Sequence, residues 1–445
     1  MKLRGLIGAV LAAGLSYATG ATAQDQAAWL KDRRYGEGMG IRAGDFELHP
    51  GIGGEFGYDS NYFLRHSSEA PIDTMRMRIT PSFSLSTVGQ ERREGDTGAL
   101  TPPKVAFRAG VAAAYSEFIA TKSANSDILS KQRNIAGIGS LQLTILPQRP
   151  FGGDIYADFM RTVQPSTDPN FNYNRLTTRF GGGVTWAPGG GMFDWRLGYE
   201  YGLIYFEDRA FRGLSTNVHS ISTRGRWRFL PRTALLYDGS VAFLRYNQGP
   251  STAQLDSDPV RARIGLNGLV TRQLALLAMA GWGSSFYKGL NAQQFDSVIA
   301  QAEIKWFIVP GTGNEIFGGP LPISTVALGY SRDFFNSYLG DHFVRDRFYL
   351  TLSHLFGGRF LLVVDGSYSP IRYPDIYNVA RTTVSRAGFS APRAEASLFG
   401  EYRFSDSLGL NTTLRYSANV TDVDVLGDRL GWNRFEAFLG IRWFL

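Results

Sequence analysis

Apolar and polar residues alternate one by one through most of this 445-residue chain. In the last stretch, 432–445, Phe435, Ile441 and Trp443 share one face of an extended strand. Arg434 and Glu436 share the other face. A period of two predicts strands with one apolar and one polar face, and segments of about 9–11 residues can cross a bilayer at a tilt. The pattern therefore predicts an all-β fold, a transmembrane up-and-down antiparallel β-barrel.

The parity of the apolar residues predicts about 18 strands. No linker or break in composition divides them, which favours one continuous barrel over residues 46–445. The predicted strands are 46–58, 74–87, 105–115, 135–145, 151–163, 175–186, 193–205, 218–229, 234–246, 259–271, 274–286, 298–308, 323–330, 343–356, 360–368, 393–404, 408–420 and 433–445.

Short and long connections alternate between these strands. Outer-membrane barrels have short periplasmic turns and longer outer loops, so the alternation predicts that both termini are periplasmic. Two connections at the predicted periplasmic end, segments 88–104 and 309–321, are longer than the short turns expected there. The tight turns are 146–150, 187–191, 230–232, 271–273, 357–359 and 405–407.

Aromatic residues cluster at the ends of the predicted strands, next to the turns and loops. Barrels carry such girdles where the apolar band meets the two membrane interfaces. We therefore expect these side chains to face lipid headgroups. They are Tyr58, Trp186, Tyr205, Trp227, Tyr246, Trp306, Tyr330 and Trp443.

The first 23 residues have the pattern of an export signal. Lys2 and Arg4 precede an apolar run over residues 5–15, and small residues at 21–23 precede a cleavage site. We expect residues 24–45 to form a periplasmic segment. The chain has no cysteine, which excludes disulfides and cysteine-ligated metals.

Charge and motifs exclude several classes of function. The formal charge of +7 is too small to indicate nucleic-acid binding, and no RNA-binding motif supports it. Neither an HExxH nor a GxSxG motif is present, so we expect no enzyme, no metal and no cofactor. Asp341 and His342 in a predicted outer loop leave an outer-membrane hydrolase of the omptin kind as a weaker alternative.

The polar face of the predicted strands carries many charges, with arginine in excess. A cation that faces the middle of the bilayer costs roughly 2–4 kcal/mol, so we place these residues in the lumen. The predicted pore-lining residues are Arg76, Arg78, Arg175, Arg179, Arg224, Arg226, Arg228, Arg261, Arg263, Arg345, Arg347, Asp154, Asp158 and Glu200.

Two interpretations of these charges remain open. A ladder of ion pairs across neighbouring strands would hold the shape of the barrel. A surface rich in arginine would instead select anions.

The first predicted strand also carries a local family resemblance. It resembles the opening of the second family of proposed bacterial outer-membrane β-barrel porins, in which a strand reads roughly "L-x-P … G-Y-D-x-N". The matching residues are Leu48, Pro50, Gly57, Tyr58, Asp59 and Asn61. The resemblance implies an outer-membrane barrel, and some members resemble barrels that accompany exopolysaccharide export; it implies no catalytic residues.

Together these patterns predict an outer-membrane channel of a Gram-negative bacterium that passes or helps to export a polar or anionic solute, such as a secreted polysaccharide. The alternative is a structural or adhesive barrel with a lumen filled by side chains and with binding loops. The expected partners are outer-membrane lipid, lipopolysaccharide, the barrel assembly machinery and a periplasmic polysaccharide-export component; no nucleic acid is expected.

Overall fold

A computed structural model describes residues 40–87, 104–147, 150–165, 167, 171–188, 191–247, 254–309, 324–425 and 428–445. The predicted export signal and most of the predicted periplasmic segment lie outside these residues. Residues 41–43 form a short strand that pairs with the start of the first barrel strand, Ile41 opposite Leu48.

Eighteen long strands form the body of the described part of the chain, as the alternation predicts. In chain order they are β1 (Phe46–Asp59), β2 (Thr74–Thr87), β3 (Val105–Ala120), β4 (Asn134–Ile145), β5 (Phe151–Thr162), β6 (Arg175–Trp186), β7 (Phe193–Phe206), β8 (Thr216–Leu230), β9 (Thr233–Tyr246), β10 (Ser257–Leu269), β11 (Leu274–Tyr287), β12 (Phe295–Val309), β13 (Ser324–Asn336), β14 (His342–Phe356), β15 (Phe360–Ser369), β16 (Arg393–Arg403), β17 (Leu408–Asn419) and β18 (Trp432–Phe444).

Each strand pairs antiparallel with its neighbours in sequence, and the ring closes between the last strand and the first. In that seam Gly51 lies opposite Phe444 and Asp59 lies opposite Glu436. Gly57 allows the seam to close, because a Cβ there would lie 2.2 Å from the backbone oxygen of Ala437. The predicted closed up-and-down antiparallel barrel is confirmed, and closure leaves no unpaired sheet edge in the ring.

The two faces of each strand differ as the alternation requires. Along β2, Arg76 and Arg78 are buried on the inner face, whereas Met77, Ile79 and Phe83 are exposed on the outer face. A soluble sheet would hide its apolar face. Here the apolar side chains point away from the barrel, as expected of a surface that lipid covers.

Short turns and longer loops alternate at the two ends of the barrel. We call the end with the short connections the turn end and the opposite end the loop end. The long predicted connections 88–104 and 309–321 lie almost entirely outside the described residues. Within the described residues, the loop end carries segments 60–73, 121–133, 163–165, 171–174, 207–215, 254–256, 288–294, 337–341, 370–392, 420–425 and 428–431.

Two predicted strands end too early at the loop end. Strand β3 continues to Ala120, past the predicted end at 115, and β13 continues to Asn336, past 330. The apolar alternation stops where a strand leaves the apolar band. The ladder of backbone hydrogen bonds does not need apolar side chains and continues beyond that level.

Most of the predicted girdle aromatics lie on the outer face. Trp186, Trp227, Trp306 and Trp443 are exposed there near the turn end. Tyr246 is the exception, because it lies on the inner face and packs against apolar loop residues. The sequence alone does not distinguish an aromatic residue of the girdle from one that faces inward beneath a loop at the end of a strand.

The loops add short elements to the barrel. The helical ones are the 3₁₀ helices Ser67–Glu69, Ser123–Asn125 and Arg209–Leu214 and the α-helix Ser126–Ser130. The short strands are Ile371–Tyr373, Ile376–Tyr377, Val384–Arg386, Phe389–Ser390, Asp424–Val425 and Asp428–Arg429. Within the described ranges, no helix has the length and apolar character needed to cross a membrane.

Candidate functional site

The inner-facing side chains of β5–β10 form the first part of the candidate site, which we call the exposed wall. Arg179 lies 3.2 Å from Asp158 on the neighbouring strand, and the two side chains are 53 % and 37 % exposed. Arg196 reaches across β6 and donates to both carboxylate oxygens of Asp154, at 2.8 and 2.6 Å. Charged side chains that remain this exposed on an inner face require water in the lumen.

Further ion pairs continue along the exposed wall. Arg226 donates to Asp194 at 2.6 Å. Arg263 donates to both carboxylate oxygens of Asp238, at 3.0 and 3.1 Å. Arg261 lies 3.0 Å from Asp333 on β13 and 4.1 Å above the ring of Phe334. These contacts match the ion-pair ladder, the first of the two interpretations that the sequence leaves open.

Arg224 departs from that ladder. It lies opposite Arg196 on β7 and opposite Asp238 on β9, but both carboxylate oxygens of Asp238 accept from Arg263. Its side chain is exposed, and within the described ranges it makes no ion pair or hydrogen bond. Arg224 therefore presents to the lumen a positive charge that has no ion-pair partner among the described residues.

Glu200 accepts a hydrogen bond from a tyrosine whose side chain passes over a glycine on the strand between them. Tyr156 donates its hydroxyl hydrogen to Glu200 at 2.6 Å. A Cβ on Gly181 would lie 2.4 Å from that tyrosine ring, so glycine is required between the two strands. The arrangement keeps the carboxylate of Glu200 on the inner face and orders it.

The inner-facing side chains of β17, β18, β1 and β2, with Glu401, form a second region, the buried wall. Arg434 donates to both carboxylate oxygens of Asp59, and Arg76 lies 3.3 Å from the same carboxylate. Glu436 accepts from Arg76 and lies 3.1 Å from Arg434 and 3.5 Å from Arg415. The side chains of Arg434 and Asp59 are 4 % and 0 % exposed.

The same network extends along the buried wall. Arg78 lies 2.9 Å from Glu55 and 5.2 Å from the ring of Phe438. Arg442 and Arg403 both contact Glu401. Asp59, Glu55, Glu401 and Glu436 therefore each have at least one guanidinium against them, which buried charges require.

The remaining predicted residues occupy separate positions on the inner face. Arg175 is buried at the loop end of β6, and Arg228 is half-buried near the turn end of β8. Arg345 lies 4.9 Å from the ring of Phe335, and Arg347 lies 5.2 Å from that of Tyr349. All fourteen predicted pore-lining residues fall on the face opposite the exposed apolar side chains, but that they line a pore stays a prediction.

An apolar cluster of loop residues crosses the loop end of the barrel; we call it the cap. It joins inner-facing Phe206 of β7 to Trp432 of β18, strands far apart in the ring, so it spans the mouth. Its buried members are Leu64, Tyr173, Ile204, Phe206, Phe211, Leu214, Tyr338, Leu339, Phe343, Ile371, Tyr373, Ile376, Ala391, Val425, Leu430 and Trp432. Burial raises the pKa of the Tyr373 hydroxyl above its usual value.

One buried arginine joins three loops at the edge of the cap. Arg381 donates to the backbone oxygens of Leu290 and Asn291 and, at 2.7 Å, to the carboxylate of Asp341. The side chain of Asn291 donates back to the backbone oxygen of Arg381 at 2.7 Å. Arg381 holds the left-handed conformation, with φ of 56°, that ordinarily favours glycine. These contacts fix the long loop 370–392 to its neighbours.

The Asp341–His342 pair does not form an exposed outer site. Asp341 is buried against Arg381, and its carboxylate also accepts from the backbone nitrogen of Gln293 at 2.8 Å. His342 is buried as the first residue of β14 and stacks on Tyr287. Because both side chains are buried, the exposed Asp/His site that the weaker hydrolase alternative needs does not form here.

The cap and the role of Arg381 were not predicted from the sequence. The signal was present, since apolar side chains such as Phe211, Leu339 and Ile376 recur in long, otherwise polar loops. Parity identifies strands that alternate, but it gives no weight to single apolar residues in loops.

The barrel is similar to several solved structures at low identity. The outer membrane protein OpdK from Pseudomonas aeruginosa is 12 % identical, with 90 % of this chain and 98 % of that chain covered and a TM-score of 0.45. OccAB3 from Acinetobacter baumannii is 13 % identical, with coverage of 91 % and 100 % and a TM-score of 0.46. The ferric enterobactin receptor PfeA is 12 % identical, with coverage of 91 % and 82 % and a TM-score of 0.42.

At these identities and TM-scores the likenesses carry no argument about function, and the barrel assignment rests on the strand pairing. No protein family matches the chain, and no curated protein matches it. The resemblance of the first strand to the second family of proposed porins therefore stays a prediction.

Proposed function

We propose that the protein is a porin-like channel in the outer membrane of a Gram-negative bacterium, and that it acts in transport rather than as an enzyme. The observation that carries the proposal is the exposed wall, where charged pairs such as Arg179–Asp158 stay solvated inside a closed barrel. A lumen filled by side chains would bury them. Water along this wall gives polar solutes a path from the turn end.

The solute that we propose is anionic or polar, such as a secreted polysaccharide. The inner face of β5–β10 carries eight arginines against five carboxylates, and Arg224 has no counter-charge among the described residues. Positive walls favour anions. A periplasmic export component would deliver a polymer at the turn end, which this proposal places in the periplasm.

The cap gives a specific reason to keep the second candidate, a structural or adhesive barrel. Its apolar side chains span the mouth, and loops such as 370–392 are fixed by Arg381. In the channel proposal the cap is a gate that a partner or the solute displaces. In the structural proposal it is permanent.

Conductance in planar bilayers separates the two candidates. The wild-type protein should give small or infrequent openings, and Arg381→Gln should increase them because it loosens three loops at the mouth. Arg386→Gln, at an exposed position of the same loop, is the matched control and should behave as wild type. If neither the wild-type protein nor the Arg381 variant conducts, the channel proposal fails and the structural candidate is favoured.

Thiol labelling tests the proposed orientation, because the native chain has no cysteine. Ala380→Cys in loop 370–392 should react with an impermeant maleimide on intact cells. Asp406→Cys in a turn should react only after the outer membrane is permeabilised. The reverse pattern would invert the topology.

A further inference from the structure

In the strands that the structure describes, charged residues on the outer face of the barrel are confined to the loop end. The paired registers place seven of them outward in the described strands, and none lies more than five residues from the loop end of its strand. They are Glu117, Arg161, Arg245, Asp258, Asp296, Arg332 and Asp346. The outer face near the turn end carries aromatic side chains instead. The outer face therefore differs in chemistry between the loop end and the turn end of the barrel.

The order of side chains along β13 and β14 shows the level at which the surroundings change. Leu328 and Leu350 face each other on the outer face, and the pair Tyr330 and Phe348 follows toward the loop end. The next outward residue on β13 is Arg332. This order of rows, first apolar, then aromatic and then charged, is expected where a strand passes from the hydrocarbon of the membrane into the headgroups.

At that charged level two arginines share one carboxylate. Arg332 lies 3.4 Å from Asp346, and Arg372 contacts the other oxygen of the same carboxylate. Tyr330 donates its hydroxyl hydrogen to Asp346 at 2.7 Å. The Arg372 side chain is about half exposed, whereas Asp346 is nearly buried. This triad, Arg332–Asp346–Arg372, carries one positive charge in excess.

A second outward group has similar geometry without the excess. Arg245 and Lys288 each lie 2.7 Å from Asp258. Asp256 lies 4.0 Å from Arg245 and balances the second cation. The chain therefore contains its own neutral counterpart of the triad.

We infer that the triad Arg332–Asp346–Arg372 is a docking site for the phosphate of a phosphorylated glycolipid in the surrounding outer leaflet. A guanidinium binds phosphate through paired N–H donors, and basic groups between membrane-embedded segments bind lipid headgroups. The excess charge sits directly above the aromatic row, which is the depth of such headgroups. The inference is independent of whether the lumen conducts.

Native mass spectrometry of the full chain in detergent tests the inference. The probes are bisphosphorylated lipid A and the same lipid without its phosphates. The wild-type protein should retain the phosphorylated form about tenfold better, the scale expected when two surface arginines meet one anionic headgroup. The double variant Arg332→Gln with Arg372→Gln should lose that preference, whereas both arginines changed to lysine should keep part of it.

The matched control is Arg245→Gln with Lys288→Gln, which should leave lipid A binding unchanged. Arg372→Gln alone tests the site without altering the barrel ladder, because Arg372 lies in the short strand Ile371–Tyr373. It should weaken lipid A binding by itself, and heat-dependent gel mobility confirms that each variant is folded.

Three results would overturn the inference. Equal retention of the dephosphorylated lipid would show that the site does not recognise the phosphate. Complete displacement of lipid A by inorganic phosphate would show that the site binds a free anion. Phosphatidylglycerol bound as tightly as lipid A would show that the site does not prefer a glycolipid.

Discussion

The exposed wall and the buried wall use the same residue types on the same face of the same barrel, yet their surroundings are opposite. Arg179 and Asp158 keep much of their surface in solvent, whereas Arg434 and Asp59 have almost none. An ion pair in water is screened and stabilises little. A buried pair has lost its hydration, so each member depends on its partner. The comparison teaches that charged side chains lie on both walls of the lumen but that only one of these walls is wet.

The largest expected effect is on stability in the buried wall. Asp59→Asn removes the carboxylate against which Arg434 and Arg76 are buried, and should cost about 3–5 kcal/mol in the free energy of unfolding. Asp158→Asn makes the same chemical change on the exposed wall and should cost no more than about 1 kcal/mol. Urea unfolding in lipid, followed by tryptophan fluorescence, measures both.

Equal losses for Asp59→Asn and Asp158→Asn would break the comparison. They would mean either that water reaches the buried wall or that the exposed wall closes in the membrane.

The alternation of side chains predicted the faces of the barrel but not the water on its inner side. Arg78 and Arg226 alternate with apolar residues in the same way, so the sequence placed both correctly on the polar face. Only the fold shows that Arg78 is buried beside Glu55 and Phe438 while Arg226 and Asp194 stay partly exposed. Hydration depends on what packs over a residue from across the lumen, and period-two parity contains no such information.

Pairing across strands was also beyond the sequence. Arg196 pairs with Asp154 two strands away, and Arg261 pairs with Asp333 three strands away. These partners follow from the registers and from side-chain length, which a single chain does not reveal. Within the described part of the exposed wall, Arg224 is an arginine of the predicted excess that makes no ion pair or hydrogen bond.

A smaller effect, on ion preference, is expected from a charge change at Arg224 on the exposed wall. Arg224→Glu should shift the reversal potential in a KCl gradient toward cations while it changes stability by no more than about 0.5 kcal/mol, because the side chain is exposed and unpaired among the described residues. The shift should shrink as the Debye length falls from about 10 Å at 0.1 M to about 3 Å at 1 M salt.

Arg133→Glu is the control for Arg224→Glu, since it makes the same charge change outside the lumen, at an exposed position in a loop at the loop end. An identical shift from both variants would show that the reversal potential reports the total charge of the protein and not the charge of the lumen.

The asymmetry of the two walls is tested most directly by the reactivity of single cysteines toward a small charged thiol reagent. Ser222→Cys and Ser240→Cys lie opposite each other on the exposed wall, whereas Thr413→Cys and Ser417→Cys lie on the buried wall. Reagent added to the folded protein should modify the first two quickly and leave the second two unmodified until the barrel is unfolded. Modification of all four at similar rates, or of none, would contradict a lumen that is wet along one wall and dry along the other.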